Sequence, residues 1–153
     1  TESEAVRAGM QVLRGLLEIH SLGVTHRDIK PGNIICTDDD EEAGGKRYTI
    51  IDMGVAIAAE KDADKNFQTT MNTKGGTFAG TVMYCCPEMV NQYINNRPGL
   101  TEKVGPYVDM WSVGVTLFEC VTGKLPFEVP GDIIDQHKEA PMIFDLLEGD
   151  RKA

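Results

Sequence analysis

The run His26-Arg27-Asp28-Ile29-Lys30-Pro31-Gly32-Asn33 places an acid, a cation and an amide on one short loop. Beyond the next β-prone stretch, Asp52-Met53-Gly54 adds a second acid. A carboxylate within hydrogen-bond reach of a hydroxyl can orient it and accept its proton. A nearby lysine can offset charge on a transferring group. Asn and Asp oxygens suit a hard divalent cation whose remaining ligands are substrate phosphates. Together these groups fit phosphoryl transfer, where the protein mainly positions reactants and neutralises charge. A plain turn, with Asp28 and Asn33 bonding local backbone, would explain either residue singly; it does not explain residue types and spacing together.

Outward from this loop the pattern predicts a mostly α fold, α+β overall. Over residues 4–21, apolar side chains recur at Val6, Met10, Leu13 and Leu17, with Val12, Leu16 and Ile19 widening the stripe. That is helical periodicity with a broad buried face, and Gly23 is its natural stop. Residues 33–37 and 48–51 are β-prone runs around an acidic turn containing Gly44-Gly45, which predicts a hairpin. Residues 55–86 are polar, rich in Thr and Gly and weakly periodic, and read as a functional or mobile loop. Residues 107–121 are apolar nearly all round, as an interior helix would be. Gly123 closes that helix and Pro126 forbids its continuation. A last short helix is expected over residues 142–147.

The chain has 153 residues, 41% hydrophobic and 25% charged, enough for one soluble domain with a sizeable core. A formal net charge of −9 opposes a nucleic-acid-binding surface. Much of it lies in Asp38, Asp39, Asp40, Glu41 and Glu42, a run that reads as a solvated loop rather than an acidic docking tail. Cys36, Cys85, Cys86 and Cys120 have no Cys-x-x-Cys spacing for zinc or a redox pair. The adjacent Cys85 and Cys86 read as ordinary half-buried thiols rather than oxidation sensors. No secretory h-region opens the chain and no apolar run is long enough to span a bilayer. A reduced cytoplasmic or nuclear setting is therefore expected.

The loop around Asp28 and the Asp52-Met53-Gly54 motif resemble the catalytic loop and metal-binding motif of the eukaryotic protein kinases, with Met53 replacing the more usual Phe. The segment Gly80-Thr81-Val82-Met83-Tyr84-Cys85-Cys86-Pro87-Glu88 is similar to the family's Gly-Thr-x-x-Tyr-x-x-Pro-Glu segment, Cys86 departing from the usual Ala. Asp109-Met110-Trp111-Ser112-Val113-Gly114 resembles the start of the central helix of the kinase C-lobe, and Gly123-Lys124-Leu125-Pro126-Phe127 continues the likeness. The resemblance implies that residues 1–153 form a partial kinase domain of C-lobe type. A small β-hairpin would carry the catalytic and metal-binding loops, with the activation segment at about 52–88.

By this resemblance Asp28 accepts the substrate hydroxyl proton, and Lys30 lies beside the transferring phosphoryl group and accompanies serine/threonine specificity. Asn33 and Asp52 hold magnesium, and the nucleotide is ATP. Ile35 lies beneath the adenine ring, although it and Ile34 could equally be strand core. Thr81 bonds Asp28 and Lys30, shaping the site for a short hydroxyl side chain. Glu119 resembles an acid that reads substrate Arg in some basophilic members; Gly32 stands where those members commonly carry a second acid. Asp109 anchors the catalytic-loop backbone, and Trp111 packs beneath the segment ending in Glu88. His26 and Met53 read as core positions, whereas His20 and His137 read as packing or surface residues without a partner. Arg27 beside Asp28 suggests that a phosphate on the mobile segment docks there. Thr77 is the preferred phosphosite, ahead of Thr69, Thr70 and Thr73.

Neither a Gly-x-Gly-x-x-Gly loop nor a strand lysine precedes the first helix. The chain also stops before the Arg that would pair with Glu88. The chain is therefore expected to be part of a larger serine/threonine kinase acting on protein substrates, and to be inactive on its own. A pseudokinase or scaffold is the alternative, disfavoured because Asp28, Lys30, Asn33 and Asp52 are all present. A small-molecule kinase is disfavoured by the segment from Thr81 to Glu88.

Overall fold

Thr1 begins the first helix, its hydroxyl accepting a bond from the Glu4 amide at 3.3 Å, while Glu2 and Glu4 complement the helix dipole. Helix α1 runs Glu2–Ser21, and Gly23, at φ 75°, turns the chain away after it. The computed structural model describes residues 1–58, 60–61, 67–70, 80–90 and 103–127. Among these, the expected helices and hairpin form the frame.

The buried face of α1 is a correction to the sequence reading. Ala5, Gly9, Val12 and Leu16 face inward, whereas Val6, Met10, Leu13 and Leu17 are exposed. Apolar residues cover so much of this helix that periodicity defines a wide stripe but not its centre. The small residues decide it. A Cβ on Gly9 would lie 3.0 Å from the Leu117 side chain, so Gly9 lets a second helix approach closely. That helix, α2, runs Tyr107–Thr122 and ends at Gly123, which is left-handed at φ 71° and donates its N–H to Glu119 O at 2.8 Å. Val12, Leu16, Ile29 and Val113 form the core, with Ile19, Ile34, Ile50 and Leu117 packed around them.

After α1 come β1 (Val24–Thr25), the loop at residues 26–33, and a hairpin of β2 (Ile34–Asp38) with β3 (Lys46–Ile50). Its register pairs Ile34 with Ile50 and Asp38 with Lys46. Gly44 and Gly45 adopt φ 89° and 69° at the turn, and the acidic run is partly paired there by Lys46 on Asp38 and Arg47 on Asp39. Gln11 of α1 acts as a substitute strand for β3. Its Nε2 donates to Lys46 O at 3.0 Å and its Oε1 accepts from Tyr48 N–H at 2.8 Å, fixing the hairpin to the helix.

Within the stretch expected to be loop there are short strands: β4 (Ile57–Ala58), β5 (Glu60–Lys61) and β6 (Phe67–Thr70). Strand β4 pairs with β1, and β6 lies between β5 and β7 (Lys103–Val104). Strands of two to four residues are too short to leave a period-two signal. The helix expected over residues 142–147 lies outside the described residues. No described helix is long and apolar enough to cross a membrane.

The assignment of the core face predicts contrasting stabilities for two adjacent leucines. Leu16→Ala should destabilise the chain by about 2–5 kcal/mol. Leu17→Ala, at a position 70% exposed, should cost within about 0.5 kcal/mol. Denaturant unfolding of both variants measures the difference; equal losses would contradict the observed orientation of α1.

Candidate active site

The loop at residues 26–33 is built on a buried carboxylate. Asp109, in the first turn of α2, is 0% exposed. Its Oδ2 accepts the backbone N–H of His26 at 2.9 Å and its Oδ1 that of Arg27 at 2.7 Å. Arg27 has φ 68°, a left-handed conformation that costs a non-glycine residue on the order of 1–3 kcal/mol, and the two bonds hold the turn in it. His26 is fully buried; its Nε2 donates to Ile51 O at 3.0 Å and its Nδ1 accepts Asp28 N–H at 3.3 Å. These bonds require the neutral Nε2–H tautomer and tie the loop to the chain entering Asp52.

Above this base, four side chains converge. Lys30 Nζ donates to Asp28 Oδ2 at 2.8 Å and to Thr81 Oγ1 at 2.6 Å. Thr81 Oγ1 in turn donates to Asp28 Oδ1 at 2.7 Å. Asn33 Nδ2 donates to Asp28 Oδ2 at 2.9 Å and to the Asp28 carbonyl at 2.8 Å. Both Asp28 oxygens are thus aimed by neighbours. Burial pushes the Asp28 carboxyl up, but the bonds from Lys30 and Thr81, the Lys30 charge and the Asn33 bond outweigh it and hold the group below its ordinary value.

Thr81 reaches this cluster because Gly80 permits a close backbone approach. At φ 112°, a Cβ on Gly80 would lie 2.6 Å from the Arg27 carbonyl oxygen. On its other side the segment is fastened to α2, where Ser112 Oγ donates to Tyr84 O at 2.7 Å. Trp111, next to Ser112, stacks on Phe127 with ring centroids 5.9 Å apart. The Cys85 and Cys86 thiols are buried; burial pushes both up, Cys86 to about 12, which favours the protonated thiol.

The residues named for metal flank the hairpin on either side of its open end, where Ile34 pairs with Ile50. Because the Asn33 nitrogen is committed to Asp28, its carbonyl oxygen is the side-chain atom left to accept a cation. Ile51 N–H donates to Asn33 O at 2.9 Å, joining the two loops immediately before Asp52. Asp52 is left-handed at φ 65° and exposed, and its Oδ1 accepts Gly54 N–H at 3.0 Å. No group of three or more His, Cys, Asp or Glu suited to a metal occurs among the described residues. An all-oxygen pair of this kind fits magnesium, which takes one or two protein ligands and completes its shell with water and phosphate.

Other sequence-named residues fall as follows. Ile34 packs on the core while Ile35 is exposed on the opposite face of β2. Glu119 Oε2 accepts the Tyr84 hydroxyl at 2.6 Å, and burial together with that carboxylate pushes the Tyr84 phenol up. Arg27 Nε donates to Val55 O at 2.7 Å. Thr77, Thr73 and His137 lie outside the described residues. Two expectations are corrected. Met53 is 49% exposed rather than in the core, and His20 has a partner, its Nε2 lying 2.8 Å from Asp109 Oδ2. No local pattern could reveal that pair, because its members are 89 residues apart. Gln11 and Ser112 escaped notice for the same reason.

Comparison with known proteins agrees with this architecture. The family model described as protein kinase domain matches residues 1–151. The chain belongs to that family. It is 35% identical over 150 residues to serine/threonine-protein kinase stk11 of Xenopus laevis, covering 91% of this chain and 30% of that protein. It is 33% identical over 130 residues to human serine/threonine-protein kinase H1, covering 84% and 26%. It is 28% identical over 141 residues to serine/threonine-protein kinase PKH2 of Candida albicans, covering 92% and 13%. The chain thus spans less than a third of the length of these relatives.

The bonds around Asp28 make its ionisation sensitive to Thr81. Thr81→Val should move the Asp28 titration upward, toward the ordinary carboxylate value of about 3.9, as followed by carboxyl-carbon NMR. Because the folded value is depressed, the associated stability is present above the ordinary value and is lost as pH falls through the depressed one. An unchanged midpoint in the variant would show that Thr81 does not stabilise the carboxylate.

Proposed function

We propose that this chain supplies the catalytic loop, metal-binding acid and activation segment of a serine/threonine protein kinase that transfers the ATP γ-phosphoryl group to Ser or Thr hydroxyls of protein substrates. On this reading residues 1–153 are part of a larger kinase domain, with the activation segment at about 52–88. The observation that carries the proposal is the closed set of bonds joining Asp28, Lys30, Asn33 and Thr81. It leaves an ionised carboxylate, aimed on both oxygens, at the mouth of the catalytic loop.

Asp28 orients the attacking hydroxyl and accepts its proton as the bond to phosphorus forms. Lys30 remains beside the transferring group and offsets its charge. Thr81 holds both in register and limits the room beside Asp28, which favours a short hydroxyl side chain. Asn33 and Asp52 would hold magnesium, which when bound neutralises phosphate charge. Ile35 offers an exposed apolar surface suited to the adenine ring. Glu119, oriented by Tyr84, would meet a basic side chain of the substrate. Arg27 would receive a phosphate on Thr77, and no nucleic-acid partner is proposed for a chain of net charge −9. The four free cysteines fit a reduced cytoplasmic or nuclear compartment.

Peptide phosphorylation by the complete kinase domain tests this reading. Asp28→Asn should lower kcat by about 10²–10⁴-fold, the range associated with a positioned acid or base. Comparable turnover by wild type and variant would remove Asp28 from the mechanism. In the same assay Thr77→Ala should lower activity, and unchanged turnover would reject Thr77 as the activating site.

A further inference from the structure

We infer that His20 is a positioning residue for phosphoryl transfer, acting through Asp109 on the catalytic loop; this rests on the kinase reading above. Asp109 is wholly buried and carries the only side-chain bonds to the His26 and Arg27 amides among the described residues. Its Oδ2 is shared: the His26 amide approaches at 2.9 Å and His20 Nε2 at 2.8 Å. Since a carboxylate only accepts, His20 must donate from Nε2. A buried carboxylate needs such donors, and loss of one leaves it free to shift toward another.

His20 sits in the last turn of α1 with its side chain 15% exposed. It therefore joins the end of α1 to the start of α2 directly beneath the catalytic loop. The residue it braces is not itself near the chemistry. Asp109 holds Arg27 in its left-handed turn, and that turn aims the next residue, Asp28. His20 thus acts on Asp28 through two intermediaries, Asp109 and Arg27. Its removal should affect the placement of Asp28 rather than the affinity for either substrate.

Two measurements on His20→Ala and His20→Gln decide the matter. The first is amide hydrogen exchange at His26 and Arg27 in this 153-residue chain. The second is kcat and KM of the complete kinase domain. His20→Ala should speed exchange at both amides relative to distant sites. It should lower kcat about tenfold, equivalent to about 1.4 kcal/mol in the barrier, with KM for nucleotide and peptide nearly unmoved. His20→Gln, which keeps a nitrogen donor, should recover most of both effects. The inference is overturned if the Ala variant exchanges and turns over like wild type, if KM alone changes, or if Gln is as damaging as Ala. An inactive wild-type domain would count against the kinase reading, while the exchange measurement would still decide the role of His20.

Discussion

A single buried carboxylate organises this molecule. Asp109 lies under the catalytic loop with both oxygens engaged by loop amides, and the loop could not otherwise maintain a left-handed arginine at residue 27. The cost of that turn is offset by charge-assisted bonds made in a setting that excludes water. From the turn follow the direction of Asp28, the bonds that Lys30 and Asn33 make to it, and the place into which Thr81 fits. The helix carrying Asp109 is itself held by the core against α1. Hydrophobic packing therefore reaches the Asp28 carboxylate through one acid.

The site is a layered object. Its bottom layer is apolar and joins α1, α2 and the hairpin. The middle layer consists of buried polar groups, Asp109, His26 and Ser112, each satisfied by backbone of a different segment. The top layer contains the charged groups Asp28 and Lys30, partly exposed and joined by Thr81 and Asn33. Such a gradient places the charges where a solvent-borne substrate can meet them, while their geometry is fixed from below.

Much of this was legible in the chain. The string from His26 to Asn33 identified the loop, and Gly80 to Glu88 identified the segment that closes on it. Gly23 and Gly123 marked the two helix ends, and the β-prone runs around Gly44-Gly45 marked the hairpin. What escaped was of two kinds. The centre of the buried face of α1 was misjudged because its apolar stripe is wide, and Gly9 reports which side approaches α2. The partnerships of Gln11, Ser112 and His20 were hidden because each joins segments 28 or more residues apart. A sequence displays periodicity and local motifs, but a long-range bond between two ordinary polar residues leaves no mark on either neighbourhood.

The proposed mechanism requires Asn33 and Asp52 to hold one nucleotide-bound metal while Asp28 and Lys30 face the terminal phosphate. The most direct measurement is a crystal structure of the complete kinase domain with magnesium and a non-hydrolysable ATP analogue. The account predicts a magnesium ion about 2.1 Å from the Asn33 side-chain oxygen and an Asp52 carboxylate oxygen, with the terminal phosphate facing Asp28 and Lys30. Metal and phosphates bound away from these four residues, in a complex that is otherwise well ordered, would contradict it.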